Sequence, residues 1–343
     1  MIVRIANPSD CSNIDHYIAQ TGSSSLYHDY RWSEVIEKSF GHTCYYLLCE
    51  DDDGSIGGIL PLVHMKSLMF GNQLVSMPYF NYGGVCADNE TKRDRMIERA
   101  IALLEDLNGS HMELRQEDPL NNGFPSKTSK VSMRLNLPGS PEDLWKTFSS
   151  KLRSQIKRPI KEGMVARFGR FEELDNFYEV FSICMRNLGT PVYHERFFRN
   201  ILETFPVNTW ICSVYHEGKA VASGFLAGFK NRLEIPWAAT IKQYNPLSPN
   251  MLLYWASLEF ACNKGFAVFD FGRSTRGEGT YKFKEQWGAV PSQLNWHYFV
   301  KNNGAIPDIT PGNPKYKLAI ELWKRLPVRV TRILGPPIVK NIP

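Results

Sequence analysis

The sequence contains one order of strand and helix patterns twice, and this repeat restricts the folds open to the chain. In each copy a Tyr-His-acid motif, Tyr27–Asp29 or Tyr193–Glu195, precedes a helix, a hairpin and a second helix that ends at a glycine. The matching landmarks lie 166, 164 and 156 residues apart: His28 and His194, Gly54 and Gly218, and Gly109 and Gly265. Because these offsets drift little, the sequence predicts one αβ unit present in two copies.

The patterns within the repeat predict an α+β fold with mixed sheets flanked by helices. The Asp53-Gly54 turn joins two apolar runs of the first copy into a hairpin, and Val131–Asn136 alternates as a strand does. We expect four segments in the chain. They are an N-terminal domain over 1–138, a connecting basic helix over 139–165, a C-terminal domain over 166–302 and a basic tail helix over 303–343.

Composition places the basic character of the chain near its C-terminal end. The 343 residues carry a formal net charge of +5 and are 43% hydrophobic and 22% charged, which is ordinary for a globular protein with room for two cores. Residues 301–343 hold eight lysines and arginines against two acidic residues, so the other residues have a net charge of −1. The positive charge therefore belongs to the tail and not to the body.

Cysteine and histidine usage points to a cytoplasmic protein without a metal. The seven cysteines are dispersed and form no CxxC pair, which is typical of reduced, buried thiols. The eight histidines are isolated, so no metal site and no tightly bound cofactor are predicted. The sequence starts without the apolar region of a signal peptide, and no apolar run approaches the roughly 20 residues that span a bilayer.

The segment 267–288 is the strongest candidate for a functional site. The apolar run Ala267–Phe271 is predicted to be a strand that breaks at Gly272 and leads into a glycine-containing loop. Four cations follow within twelve residues: Arg273, Arg276, Lys282 and Lys284. Such a loop at the C-terminal end of a strand suits a ligand with a phosphate or a carbonyl. The alternative is a solvated surface loop before a last strand.

A basic helix is predicted between the two copies, from Pro141 through Arg158. Its apolar residues recur every four positions and define one helix face: Leu144, Phe148, Leu152 and Ile156. The rest is lined by Lys151, Arg153, Lys157, Arg158 and, just beyond, Lys161. This helix is either a cationic wall facing a phosphorylated substrate or a solvated connection between domains.

The tail is predicted to form a basic amphipathic helix from Pro314 to about Leu326, interrupted by Pro327 and resumed to Leu334. Three alternatives are open for it. It rests on an anionic membrane surface as a peripheral contact, packs on the body, or pairs with a second subunit.

The second half of the sequence resembles the FemAB-like transferases, in particular the branch associated with exosortase (PEP-CTERM) exopolysaccharide systems. The matching segments are Leu188–Val192, Ser248–Trp255, Phe269–Ser274 and Gly279–Ala289, joined in the first half by His28–Trp32, Phe40–His42 and Asn81–Gly84. The likeness spans roughly residues 1–300. It implies two tandem GNAT-like (acyl-CoA N-acyltransferase) domains, in agreement with the repeat.

The resemblance implies an acyl- or aminoacyltransferase that forms an amide on an amine of a cell-envelope or exopolysaccharide precursor. The implied donor is acyl-CoA or aminoacyl-tRNA, and the implied partner is a phosphorylated or nucleotide-linked glycan precursor, with tRNA as the second partner. The segment Phe283–Gly288 matches the family's catalytic segment, which makes Lys284 and Phe283 the candidate catalytic residues. The lysine would stabilise the oxyanion that forms when an amine attacks an ester or thioester.

Further site residues follow from the matching segments and the basic helix. The candidates for substrate binding are Arg153, Lys157, Arg273, Arg276, Tyr281, Lys282, Tyr193 and Tyr82. The candidates for donor binding are Ser248, Asn250 and Tyr254. Since Tyr193 and His194 have twins in Tyr27 and His28, a role in the fold is the alternative for this pair.

The sequence departs from the family pattern at two places. It has no heptad stretch long enough for the coiled-coil arm that tRNA-dependent members often carry. Gln243–Asn250 stands where a simple GNAT protein has its glycine-rich pyrophosphate loop, and this segment contains no glycine. The alternative function is a catalytically silent double-GNAT module that binds a phosphorylated glycan intermediate or supports export machinery.

Overall fold

The computed structural model describes residues 1–67, 70–301, 304–306 and 316–343. The strands in these ranges are β1 (Ile2–Ile5), β2 (Thr43–Glu50), β3 (Ile56–Ser67), β4 (Gly71–Val75), β5 (Cys86–Ala87), β6 (His111–Gln116), β7 (Ser126–Lys127), β8 (Lys130–Asn136), β9 (Val165–Gly169), β10 (Thr209–His216), β11 (Lys219–Phe229), β12 (Arg232–Thr240), β13 (Val268–Thr275), β14 (Val290–Gln293) and β15 (Asn295–Val300). The helices are α1 (Cys11–Gln20), α2 (Trp32–Phe40), α3 (Glu90–Asp106), α4 (Pro141–Thr147), α5 (Ser150–Lys161), α6 (Leu174–Leu188), α7 (Glu195–Thr204), α8 (Pro249–Asn263), α9 (Gly279–Glu285), α10 (Lys317–Trp323) and α11 (Val328–Val339).

The chain forms two compact units, each built on one mixed sheet. The strand order is β1-β2-β3-β4-β6-β15-β7 in the first unit, with β5 beside β3, and β9-β10-β11-β12-β13-β8-β14 in the second. In both sheets the fourth strand pairs antiparallel with the third and parallel with the fifth. A helix, α3 or α8, connects each parallel pair. The predicted α+β fold with a repeated unit is confirmed.

The division of the chain into units differs from the predicted boundaries at 138 and 302. The first unit comprises residues 1–130, 293–309 and 340–343, and the second comprises 131–292 and 310–339. Strand β8 places Val131, Met133 and Leu135 in the core of the second unit, whereas β15 pairs antiparallel with β6 of the first. The sixth strand of each sheet, β15 or β8, thus lies at the C-terminal end of the other predicted domain. Alternation identifies a strand but does not show which sheet it joins.

The predicted single helix from Pro141 to Arg158 consists of two helices, α4 and α5. Phe148 is extended (φ −76°, ψ 141°), and the Ser149 side chain accepts a hydrogen bond from the Leu152 amide at 3.2 Å, which starts α5. Serine at this position satisfies an amide that has no partner within the helix. Leu144, Phe148, Leu152 and Ile156 nevertheless share one core, because each helix still buries its apolar face.

The strand predicted to break at Gly272 continues as β13 to Thr275. Gly272 lies within it at φ +75°, a left-handed conformation that glycine adopts without the Cβ clash of other residues. The glycine therefore turns the main chain inside the strand and does not end it.

The tail packs through one side on the second unit. Its Pro314 lies outside the described residues, and α11 continues past the predicted end at Leu334 and includes Pro336 and Pro337. Thr331, Gly335 and Val339 are buried one turn apart, and this packing holds the last turn in spite of the prolines. The opposite side is open, since Leu318 and Ile333 are both 72% exposed. In the described ranges, no helix is long and apolar enough to cross a membrane.

Gly335 is the residue on which the docking of α11 depends, and its substitution gives a test. A Cβ at this position would lie 2.8 Å from the main-chain nitrogen and oxygen of Val192, which cannot rotate away. We expect Gly335→Ala to destabilise the protein by about 1–2 kcal/mol, because overpacking exceeds the gain of about 1 kcal/mol in helix propensity. Chemical denaturation measures the change.

Gly139→Ala is the matched control, since nothing lies within 4 Å of a Cβ there and no positive φ is required. If Gly335→Ala is as stable as the wild type or more stable, helix propensity outweighs overpacking at this position, and α11 is not tightly docked.

Candidate active site

The site of the second unit arises where two parallel strands separate. Strand β12 pairs with β13 only from Arg232 to Glu234, although both strands continue beyond this point. Directly after Glu234, the residues Ile235 and Pro236 face Leu226 alone on β11, which makes a bulge in β12. Proline has no amide hydrogen to donate to a neighbouring strand. The strands therefore part, and a cavity of about 600 Å³ opens within the second unit.

The cavity is lined by side chains from five helices or strands and their connections. The lining residues are Gln155, Cys184, Ala238, Ala239, Thr240, Asn245, Ser248, Asn250, Met251, Leu253, Tyr254, Gly279, Thr280, Phe283, Lys284 and Gln286. Among them, Lys284 alone is of a type that is charged at neutral pH. The others are apolar, or are amides and hydroxyls that form hydrogen bonds without carrying charge.

Lys284 is a buried cation whose position is fixed by main-chain oxygens. Only 7% of the residue is exposed, and its Nζ donates hydrogen bonds to the carbonyl oxygens of Gly272 and Arg273, both at 2.9 Å. Burial lowers the pKa of Lys284 to about 8, because it removes water from the charged form; Asp270 opposes this change and Arg273 adds to it. An ammonium group has three hydrogens, so one remains for the cavity.

The main chain that presents these two carbonyls to Lys284 is fixed by the buried carboxylate of Asp270. This side chain is fully buried and accepts hydrogen bonds from the Gly272 amide at 2.8 Å and the Ser132 hydroxyl at 2.6 Å. The Arg134 Nε donates to its second oxygen at 3.2 Å. With both oxygens engaged, Asp270 positions β13 and has no geometry for a base.

Aromatic side chains form one wall beside Lys284. Tyr254 lies 5.4 Å from the ring of Phe271 and 5.1 Å from that of Phe283, and Trp287 packs behind them. Burial raises the pKa of Tyr254, so its hydroxyl stays protonated at neutral pH. Phe283 is part of this apolar wall, where it excludes water from Lys284 and brings no reactive atom.

The structure brings five of the predicted site residues into one cavity and leaves eight outside it. Inside are both candidate catalytic residues and all three donor-binding candidates: Lys284, Phe283, Ser248, Asn250 and Tyr254. Of the substrate-binding candidates in the second unit, the residues that do not line this cavity are Arg153, Lys157, Arg273, Arg276, Tyr281, Lys282 and Tyr193. Arg273 takes part through its main-chain oxygen, which accepts a hydrogen bond from Lys284. Residue type does not predict such a main-chain contact.

Tyr193 has contacts that fit the alternative role in the fold. Its ring lies 5.3 Å from Phe197 and 6.3 Å from Trp237, and its carbonyl oxygen accepts a hydrogen bond from Tyr178 at 3.1 Å. His194 begins α7 by accepting a hydrogen bond from the Arg196 amide. These contacts start and pack a helix.

Sequence reasoning missed several lining residues, among them Gln155, Thr240 and Thr280. Thr240 ends β12, and the C-terminal ends of parallel strands are common binding positions, so a search of such ends would have found it. Gln155 is one of three uncharged polar residues in a helix with five cations, and no pattern distinguished it.

In the first unit the corresponding opening is filled by the chain itself. Strand β4 pairs with β6 from Gln73 to Val75, and the following segment stays beside β6. The Ser76 amide donates to the Glu113 carbonyl, the Arg115 amide to the Ser76 hydroxyl, and the Gly84 amide to the Arg115 carbonyl. A separate cavity of about 360 Å³ lies in this unit, and the predicted substrate-binding residue Tyr82 lines it with His28.

Comparison with known proteins identifies the class of the second unit. Residues 147–285 match the model of the acetyltransferase (GNAT) domain. No curated protein matches the chain. Among solved structures, FemX has a TM-score of 0.69 at 13% identity, with coverage of 93% of this chain and all of FemX.

Two further structures share the architecture. L-PGS from Bacillus licheniformis has a TM-score of 0.55 at 15% identity over 98% of this chain and 99% of its own. A tandem GNAT protein from the clavulanic acid biosynthesis pathway has a TM-score of 0.54 at 9% identity over 89% of this chain and 99% of its own. Such low identities establish the fold alone.

The chain therefore has a tandem GNAT fold like that of FemX, and residues 147–285 match the acetyltransferase (GNAT) domain. The predicted fold and the predicted class of enzyme, an acyltransferase, are confirmed. The association with exosortase systems and the roles of the individual site residues stay predictions.

The Asp270 cluster can be tested through stability. In Asp270→Asn, one oxygen is replaced by an NH₂ group that cannot accept the Arg134 hydrogen bond, so the half-buried Arg134 guanidinium loses the negative charge of Asp270. We expect a loss of about 2–4 kcal/mol in the free energy of unfolding. Urea denaturation measures it.

Asp143→Asn is the control, since that carboxylate pairs with Lys146 on the surface and should contribute little. Stability of Asp270→Asn equal to that of the control would contradict the bracing role of Asp270.

Proposed function

We propose that the chain transfers an acyl group from a pantetheine thioester to an amine, in the cavity of the second unit. The observation that carries this proposal is Lys284, a buried ammonium group with one hydrogen left for the cavity after two carbonyls have fixed it. Acyl transfer creates negative charge on the carbonyl oxygen, and a fixed donor stabilises that charge more than the neutral ground state.

The lining of the cavity supports a thioester donor, with acyl-CoA as the predicted form. A pantetheine arm carries amides and no charge, and the amide side chains of Gln155, Asn245, Asn250 and Gln286 can exchange hydrogen bonds with it. The match of residues 147–285 to an acetyltransferase domain supports the same donor class.

The reaction has a simple balance. The amine nitrogen attacks the thioester carbonyl and forms a carbon–nitrogen bond, while negative charge builds on the oxygen beside Lys284. The oxyanion then collapses, the carbon–sulfur bond breaks, and the sulfur leaves as a thiolate. The proton lost by the amine neutralises that thiolate, so the products are an amide and a thiol. Lys284 keeps its protons throughout.

We place the acceptor amine on a cell-envelope or exopolysaccharide precursor. This part of the proposal rests on the resemblance of segments such as Phe283–Gly288 to FemAB-like transferases and on the shared fold with FemX. Because the corresponding opening of the first unit is filled by residues 76–84, we infer one donor site in each chain.

The first test removes the ammonium group. Lys284→Met keeps the apolar stem of the side chain but leaves the oxyanion without its donor. We expect kcat to fall about 10²- to 10³-fold. The measurement is thiol release from acetyl-CoA with glucosamine as the amine, and thermal unfolding checks that the variant is folded. Lys219→Met changes an exposed lysine of the same unit and serves as the control. Turnover by Lys284→Met at the wild-type rate would refute the role of Lys284.

The second test is the pH dependence of kcat. The ammonium of Lys284 is present below its pKa of about 8 and is lost as the pH rises through that value, so we expect kcat to decline above pH 8. An arginine stays charged over this range. In Lys284→Arg the decline near pH 8 should therefore disappear, even if the rate is lower. A decline that persists in Lys284→Arg would assign it to another group.

A further inference from the structure

Helix α5 carries a strongly cationic outward face. Its twelve residues include five cations and no acid: Lys151, Arg153, Lys157, Arg158 and Lys161. Within the part of the chain that the structure describes, none of the five forms an ion pair. Leu152, Ile156 and Pro159 are buried on the opposite side. Unpaired like charges on one helix repel each other, so their arrangement favours an anionic partner.

The cationic face adjoins the active-site cavity. Gln155 lines the cavity, and Lys151 and Arg158 lie about one turn before and after it on the helix. Both cations are exposed, as are Lys157 and Lys161, whereas Arg153 is half-buried. A molecule bound to this face is therefore beside the entrance that Gln155 borders.

The cavity itself offers little to the phosphates of a nucleotide. Lys284 is its one charged lining side chain and already donates to two carbonyls. Helix α8 starts at Ser248 in a left-handed conformation without a side-chain cap, and Pro249 removes the first amide. An anion site at a helix start depends on such amides. The neutral arm of the donor fits the cavity better than the diphosphate of coenzyme A.

The cations are spread more widely than a single phosphate group. From Lys151 to Lys161 the helix rises about 15 Å, and the side chains cover the whole outward side. Such a face matches acidic side chains distributed over a protein surface. An RNA backbone also presents spaced anions, but the body of this protein outside residues 301–343 has a net charge of −1.

We propose that the acyl donor is presented by an acidic carrier protein, whose surface binds the cationic face of α5 while its pantetheine arm enters the cavity. This inference rests on the proposed function. The carrier-bound thioester loses its acyl group to the amine, the carbon–sulfur bond breaks, and the carrier leaves with a free thiol that has taken the amine's proton. Reactions of the class that loads carboxylic acids onto carrier thiols must supply this substrate.

The test compares two donors with the same acyl group, acetyl-CoA and an acidic acyl carrier protein bearing acetyl-pantetheine. The affinity of the full chain for each donor, and for aminoacyl-tRNA as a third ligand, is measured by calorimetry at low and high salt. The variant Lys151→Glu/Arg158→Glu reverses two charges of α5, and Lys219→Glu/Lys264→Glu reverses two exposed charges elsewhere in the second unit. Circular dichroism confirms that both variants are folded.

We expect the carrier protein to bind more tightly than acetyl-CoA and to lose about tenfold or more in affinity in the α5 variant, with a smaller loss at high salt. The control variant should bind like the wild type. A carrier protein without its pantetheine arm should bind more weakly, because no arm then makes contacts in the cavity.

Three results would overturn the inference. The first is equal loss of acetyl-CoA and carrier binding in the α5 variant, which would assign the cations to the phosphates of coenzyme A. The second is carrier binding to the α5 variant that is as tight as binding to the wild type. The third is binding of aminoacyl-tRNA, but not of the carrier protein, through α5. If neither thioester binds, the proposed function itself fails, and the two failures are thereby distinguished.

Discussion

The buried carboxylate of Asp270 is the interaction on which the active-site geometry depends. It accepts a hydrogen bond from the Gly272 amide and thereby fixes this glycine at φ +75°. The carbonyl oxygens of Gly272 and Arg273 then accept hydrogen bonds from the Lys284 ammonium. Arg134 and Ser132 reach Asp270 from β8, about 140 positions earlier in the chain. A charged group kept in place before the substrate arrives costs no reorganisation during the reaction.

The two units show how one fold gives an open site in one copy and a closed one in the other. In the second unit a bulge at Pro236 ends the pairing of β12 with β13, and the gap remains open. In the first unit Ser76 and Gly84 continue the hydrogen bonding along β6 and fill the gap. A difference of one short segment therefore decides in which copy the gap between the two parallel strands stays open.

Sequence reasoning identified the repeat and five of the residues that meet in the cavity, because helix and strand periodicity and the segment Gly279–Ala289 are local features. It placed Lys284, Asn250 and Tyr254 in one site without knowing how they meet. It missed the use of main-chain oxygens around Lys284, since a carbonyl has no residue-type signature. Its domain boundaries also put β8 in the first domain and β15 in the second, because alternation shows that one face of a strand is buried and does not show which strand lies beside it.

The exchange of these two strands has a consequence for synthesis on the ribosome. The sheet of the first unit needs β15, so it stays incomplete until residue 300 has emerged, although its other strands end at residue 127. Until then β6 presents an unpaired edge, the kind of surface that pairs with other chains. The sheet of the first unit therefore cannot be completed by the N-terminal half alone. Its last strand becomes available only after the unit with the candidate active site has been synthesised.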